Sequence, residues 1–200
     1  MRRTLGVFVS AFCLLSLSAA APADASVIDF ETFLDSQTVT NQIAGVTLSS
    51  TVVLSAGLSL NDFEFPAHSG TNVVIDDIGP IWMHFASPLS AFSGYFTYIT
   101  PVTVDAFDAS FHLLGSVTSA FSSNTALSGN AGSVPNEFLE VASGSKIALI
   151  RISGLPDGSS FTLDDVTLTS SSVAEPATLA LLLLGGVGLA RRRLARRTKG

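Results

Sequence analysis

Four carboxylates sit at the two ends of the central part of the chain. Asp29 and Glu31 lie in Val27-Ile28-Asp29-Phe30-Glu31, and Asp164 and Asp165 in Phe161-Thr162-Leu163-Asp164-Asp165-Val166. Both stretches have the composition of strands. First and last strands that lie close would bring all four acids into one neighbourhood. Asp29 and Glu31 are two apart and share a face, whereas Asp164 and Asp165 point to opposite faces. Clustered carboxylates repel unless a cation neutralises them, and calcium does so by accepting six to eight oxygens in flexible geometry. A structural calcium on Asp29, Glu31, Asp164 and Asp165 is therefore one expectation. The other is that they are solvated strand-end acids, because no ligand loop with calcium-motif spacing is present.

The remaining chemistry-bearing residues are scattered. Asp76-Asp77, before Ile78-Gly79-Pro80, reads as the start of a turn, with a ligand role as the alternative. Asp105 and Asp108 read as exposed residues flanking a hairpin. His68, His84 and His112 stand singly, with no His-x-x-x-His and no cysteine partner, which argues against zinc. A serine-histidine-acid triad assembles from distant positions and stays open, but Gly-x-Ser-x-Gly is absent. Glycosidase chemistry needs two carboxylates flanking a sugar, and an acid-rich chain always supplies candidates. Trp82 lies in the apolar run Ile81-Trp82-Met83-His84-Phe85, so the run favours a core position over an exposed sugar platform.

The elements that must position these residues are strands. No stretch carries a sustained apolar repeat at three and four residues. Short runs rich in Val, Ile, Thr and Phe recur between Gly, Pro, Asn, Asp and Ser. Strands are expected near 27–33, 45–54, 72–75, 81–85, 91–98, 102–107, 113–120, 138–141, 146–152 and 162–168. Asp108-Ala109-Ser110 predicts a hairpin turn, and Leu155-Pro156-Asp157-Gly158 a similar one. Residues 119–133, rich in Ser, Asn and Gly, read as a long loop or a mobile edge. Many short strands with frequent turns predict an all-β domain over 26–168, a two-sheet jelly-roll-like β-sandwich. The opening VIDFE and the close FTLDDVTL are similar to calcium-stabilised, galactose-binding-like jelly rolls.

Charge narrows the partners. The net charge is −6 over 200 residues. Between the two end segments lie 14 acids and only two bases, Lys146 and Arg151, or about −12. Such a surface repels phosphate backbones, which argues against nucleic-acid binding.

The ends read as addresses. Residues 1–25 have a basic start, an apolar stretch and an Ala23-Asp24-Ala25 site, the pattern of a secretory signal peptide cut by signal peptidase. A short membrane anchor is the alternative. Cys13 would leave with this leader, so the mature chain would contain no disulfide. Residues 169–172 read as a short Ser-rich linker. From Ala177 to Ala190 runs an apolar stretch whose helix would span about 21 Å, short of a hydrocarbon core of about 30 Å. Arg191, Arg192 and Arg193 follow it and would stay cytoplasmic by the positive-inside rule. At residues 173–200 the chain resembles the PEP-CTERM family of exported bacterial proteins, with Glu175 and Pro176 matching the motif and Ala174 replacing its first proline. The resemblance implies recognition by an exosortase, transient membrane insertion through the C-terminal helix, and an inner-membrane-anchored precursor. It also implies release to the cell surface or exopolysaccharide matrix of a Gram-negative bacterium. A plain C-terminal anchor is the alternative.

Three functions are compatible with these observations. The first is a non-enzymatic surface or matrix protein with a structural or adhesive role and extracellular polysaccharide as its partner. The others are a calcium-dependent carbohydrate-binding module and a secreted hydrolase.

Overall fold

The structure, a computed structural model, describes residues 24–171. The expected leader, and the expected sorting tail with Ala174, Glu175, Pro176 and Arg191 to Arg193, lie outside the described residues. Those described form one unit containing nine antiparallel strands and no helix. They are β1 (Ala25–Ile28), β2 (Val46–Ser49), β3 (Thr51–Ser55), β4 (Asn72–Asp76), β5 (Ile81–Tyr98), β6 (Thr103–Phe107), β7 (Leu113–Thr118), β8 (Glu137–Ser153) and β9 (Phe161–Ser170).

Two long strands organise the rest. β5 has 18 residues and β8 has 17, and they pair with each other twice. Ile81 to His84 face Ile152 to Leu149, and Ala91 to Phe96 face Ala142 to Glu137, with irregular register between. The break has a local cause. Pro88 cannot donate to a ladder, and prolines in sheets are confined to edges and bulges. On β8 the same level carries Gly144. Each long strand therefore contributes to two halves of the sheet. In one half the order is β2, β5, β8, β6, β7; in the other it is β3, β4, β9, β5, β8. The four short expected strands at 81–85, 91–98, 138–141 and 146–152 are thus two long, bent ones.

Alternation places one face of each half in a common core. Met83, Val104, Ala106, Ile150 and Ile152 from the first half join Val53, Val74, Phe92, Phe96 and Leu163 from the second. All are essentially buried. Burying a valine, leucine, isoleucine, phenylalanine or methionine side chain contributes roughly 1.5–3 kcal/mol.

The first and last strands do pair. Ala25 faces Thr169 and Ile28 faces Val166. β9 continues through Thr169 and Ser170, residues expected in the linker. The hairpin from β6 to β7 turns at residues 108–112. The turn after β8 does not make a second hairpin, because β9 pairs with β1, β4 and β5 and not with β8. It carries the chain between the two halves instead. Gly158 has φ +82° and lies so close to β4 that an added Cβ would meet the Asp76 and Asp77 carbonyl oxygens at 2.6 Å.

Residues 119–136 contain no strand, as expected of a loop, but one end is pinned. Asn124 is fully buried. Its amide donates to the carbonyls of Phe96 at 2.8 Å and Val134 at 3.1 Å, and its oxygen accepts the Tyr98 N–H at 2.7 Å. Asn124→Ala strands those groups away from water. The expected outcome is a loss of about 2–4 kcal/mol, seen in urea unfolding as a lower midpoint at unchanged slope.

Candidate functional site

The outward face of the first half carries a cluster of aromatic rings around one guanidinium. Cross-strand pairing builds it. Ser49, Trp82, Arg151, Asp105 and Ser116 are successive partners across β2, β5, β8, β6 and β7. The next row on the same face is Thr47, His84, Leu149, Phe107 and Leu113. Trp82 is half-buried on this face and not in the core, which corrects the sequence expectation.

The Arg151 guanidinium lies 5.7 Å from the Trp82 ring and 5.6 Å from the Phe107 ring. Both are within cation–π range. Trp82 and Phe107 are 5.9 Å apart and tilted by 33°. Arg151 is fixed from behind. Its Nη2 donates to Asp105 Oδ2 at 2.7 Å and its Nε to the same oxygen at 3.2 Å. Ser116 Oγ donates to the other carboxylate oxygen at 2.7 Å. Asp105 is buried, not exposed as expected, because Arg151 and Ser116 satisfy its charge.

Phe111 completes the face from the hairpin turn. It is 60% exposed and meets the Trp82 ring edge-on at 6.4 Å. Its φ of +62° is unusual for a bulky residue and costs of the order of 1–3 kcal/mol. Asp108 holds the turn in that shape. Its Oδ1 accepts the N–H groups of Ser110 at 2.8 Å and His112 at 2.9 Å, and its Oδ2 lies 3.0 Å from His112 Nδ1. The His112 backbone N–H, then its imidazole, hold the Asp108 carboxyl below the usual carboxylate range. The turn thus holds a solvent-facing phenylalanine edge-on beside the tryptophan.

The four carboxylates, for which a structural calcium is one of two expectations, meet hydrogen-bond donors of the chain itself. Glu31 accepts the N–H groups of Thr71 at 3.0 Å and Asn72 at 2.7 Å, and the Thr71 hydroxyl at 3.2 Å. Asp164 is buried and accepts the N–H groups of His68 at 2.8 Å and Ser69 at 2.9 Å through one oxygen, and that of Asp165 at 2.7 Å through the other. Asp165 lies 2.6 Å from His68 Nδ1 and accepts the Ser69 hydroxyl at 2.9 Å. Three of the acids therefore hold the 68–72 loop against the first and last strands. Asp29 is exposed and accepts the Glu31 N–H at 3.2 Å. Among the described residues, no group of three or more His, Cys, Asp and Glu side chains is placed to hold a metal ion. The oxygens of Glu31, Asp164 and Asp165 act as acceptors for this loop. Gly70, at φ +55°, leaves the space that the Glu31 carboxylate occupies. The His68 ring stacks on Tyr95 at 3.4 Å.

Asp76 serves in the same way. It is buried and accepts the N–H groups of Ser160 at 2.8 Å and Phe161 at 3.2 Å and the Ser160 hydroxyl at 2.7 Å. It closes the turn before β9; Asp77 beside it is exposed.

No family model matches the chain, and no curated protein matches it. Solved structures of similar outline exist. The K2 cleaved adhesin domain of Lys-gingipain is 16% identical over 73% of this chain and 99% of that one, with a TM-score of 0.44. A DUF4465 family protein from Bacteroides caccae is 12% identical over 74% of this chain and all of that one, with a TM-score of 0.44. A family 29 carbohydrate-binding module from Piromyces equi is 12% identical over 78% and 95%, with a TM-score of 0.42. Likeness at this level does not transfer function.

The loop-holding acids predict a pH dependence. Burial, the largest influence, raises the Asp164 carboxyl from 3.8 to about 6. The folded chain thus holds this proton more tightly than the unfolded chain. Its stabilising contribution is complete below about pH 4 and is lost as pH rises through about 6. Burial also raises Asp76. Tm should rise as pH falls from 7 to 5, and Asp164→Asn should flatten that slope. A slope unchanged in Asp164→Asn would place its origin elsewhere.

Proposed function

We propose that this chain is an exported, non-catalytic jelly-roll-like β-sandwich protein that binds polysaccharide at the cell surface or in the extracellular matrix. One observation carries the reading: Trp82 and Phe107 gathered round Arg151 on the outward face of a sheet, with Phe111 set against Trp82. Sugar rings present C–H groups that suit the negative faces of aromatic rings, and their hydroxyls suit a fixed guanidinium and carboxylate at the margin. Trp82, Phe107 and Arg151 sit on paired strands, Arg151 is tied to Asp105, and Asp108 holds the turn that carries Phe111. Rigid placement lowers the ordering cost of binding.

The two ends of the sequence support the location. The leader over 1–25 and Ala174, Glu175 and Pro176 with Arg191 to Arg193 fit a precursor held in the inner membrane and then cut by an exosortase. Intact mass of the protein from its native host tests this. A species lacking both the leader and the residues after about Glu175 is expected outside the cell. A mass retaining Arg191 to Gly200, found only in membranes, would make the tail a plain anchor.

Affinity electrophoresis through gels holding neutral polysaccharides tests the binding. Trp82→Ala is expected to weaken retardation at least tenfold, about 1.4 kcal/mol or more, with an unchanged circular dichroism spectrum. Equal retardation of the variant would contradict the reading. EDTA is expected to leave retardation unchanged; its loss in EDTA would restore calcium dependence. Turnover of the polysaccharide, lost on removing one carboxylate or serine, would point to a hydrolase.

A further inference from the structure

The Trp82 face does not end at Trp82. A shallow cleft of about 360 Å³ adjoins it at the β2 edge, lined by Asn41, Gly45, Thr47, His84 and Ala86 among others. His84 and Thr47 belong both to this cleft and to the row that leads through Leu149 to Phe107. His84 is exposed and lies two residues from Trp82 on the same strand face. The aromatic face and the cleft are thus one surface, aromatic at the β6 end and mixed at the β2 end, where Asn41, Thr47 and His84 stand beside Ile43, Val46 and Phe85. Leu149 floors the middle and is itself buried.

We infer that this surface is a single groove for a chain of about three neutral sugar rings, running across the strands from Phe107 and Phe111 to Asn41 and His84. The inference rests on the polysaccharide-binding reading above and adds the length and charge of the ligand. Length follows from strand spacing. Phe107, Leu149, His84 and Thr47 are on adjacent strands, so three spacings of about 4.8 Å make a path of about 14 Å. A pyranose unit advances a chain by about a third of that path. The rings at one end stack on aromatic faces, and the unit at the other end meets an imidazole, an amide and a hydroxyl, all hydrogen-bonding groups. Charge follows from composition. Lys146 and Arg151 are the only bases among residues 24–171, and Arg151 is committed to Asp105. An anionic chain would approach an acidic surface with no free cation in the groove.

Size-graded oligosaccharides of one to six rings, prepared from neutral glucan and mannan and titrated against the protein by calorimetry, test this. Affinity should climb to about three rings and then level. Trp82→Ala should weaken every length. His84→Ala and Asn41→Ala should each cost about three- to tenfold for ligands of three rings or more, the size of one neutral hydrogen bond, and leave one-ring ligands unaffected. Single sugars binding as tightly as longer chains would overturn the groove while leaving the binding face intact. So would long chains that ignore both cleft variants. Alginate binding more tightly than the neutral chains would overturn the charge assignment alone. Failure of every neutral polymer and oligomer would overturn the binding reading and this inference with it.

Discussion

The antiparallel ladder between β5 and β8 is the constraint from which the rest follows. Two strands that pair, break register near Pro88 and pair again present two sheet halves to a single core. Their inward residues, including Met83, Ile150, Phe92 and Val141, need no helix to cover them, because each half covers the other. The same ladder sets the outward face. Trp82 stands opposite Arg151, and the next strand pair sets Asp105 opposite Arg151 in turn. A shift of one residue in this register would turn the guanidinium into the core and the isoleucines out to water. The aromatic cluster is therefore a direct consequence of the packing that folds the chain.

Side-chain acceptors, some of them buried, do the work that disulfides perform in many small exported domains. Asn124 pins the loop after β7 to β5, Asp76 closes the turn before β9, and Glu31, Asp164 and Asp165 hold the 68–72 loop. All but Asp165 accept backbone N–H groups, and Asp165 accepts the Ser69 hydroxyl. A carboxylate with several such donors is a compact way to anchor irregular chain. It also means that acidity in this protein is partly structural, and that the count of acids overstates the number available to a cation.

Much of the architecture was legible in the sequence. Runs of Val, Ile, Thr and Phe gave most strands to within a few residues, but the expected strand at 45–54 is two, β2 and β3, broken at Ser50 with φ +55°, and that at 27–33 ends at Ile28. Asp108-Ala109-Ser110 gave the hairpin, and the expectation that first and last strands lie close gave the pairing of β1 with β9. The continuity of β5 and β8 was not legible, because Pro88 and Gly144 look like ordinary strand terminators. The side of the sheet taken by Trp82 was obscured too. In Ile81-Trp82-Met83-His84-Phe85 nearly every residue is apolar, so alternation leaves little trace. One signal was present: His84 shares the parity of Trp82 and marks it as the solvent side. The partnership of Arg151 with Asp105, and that of Asp164 with His68 and Ser69, depend on contacts 46 and about 95 residues apart. No local pattern encodes these.

Trp82 is the only tryptophan, so its indole N–H gives a single, assignable nuclear magnetic resonance signal. The most direct test of the binding face is to follow that signal, with the amides of Phe107, Phe111 and Arg151, while a neutral oligosaccharide is titrated into isotope-labelled protein. The account predicts that the indole signal moves most, in step with those three amides and saturably. Saturable shifts confined to other parts of the chain, with the indole signal fixed, would contradict it.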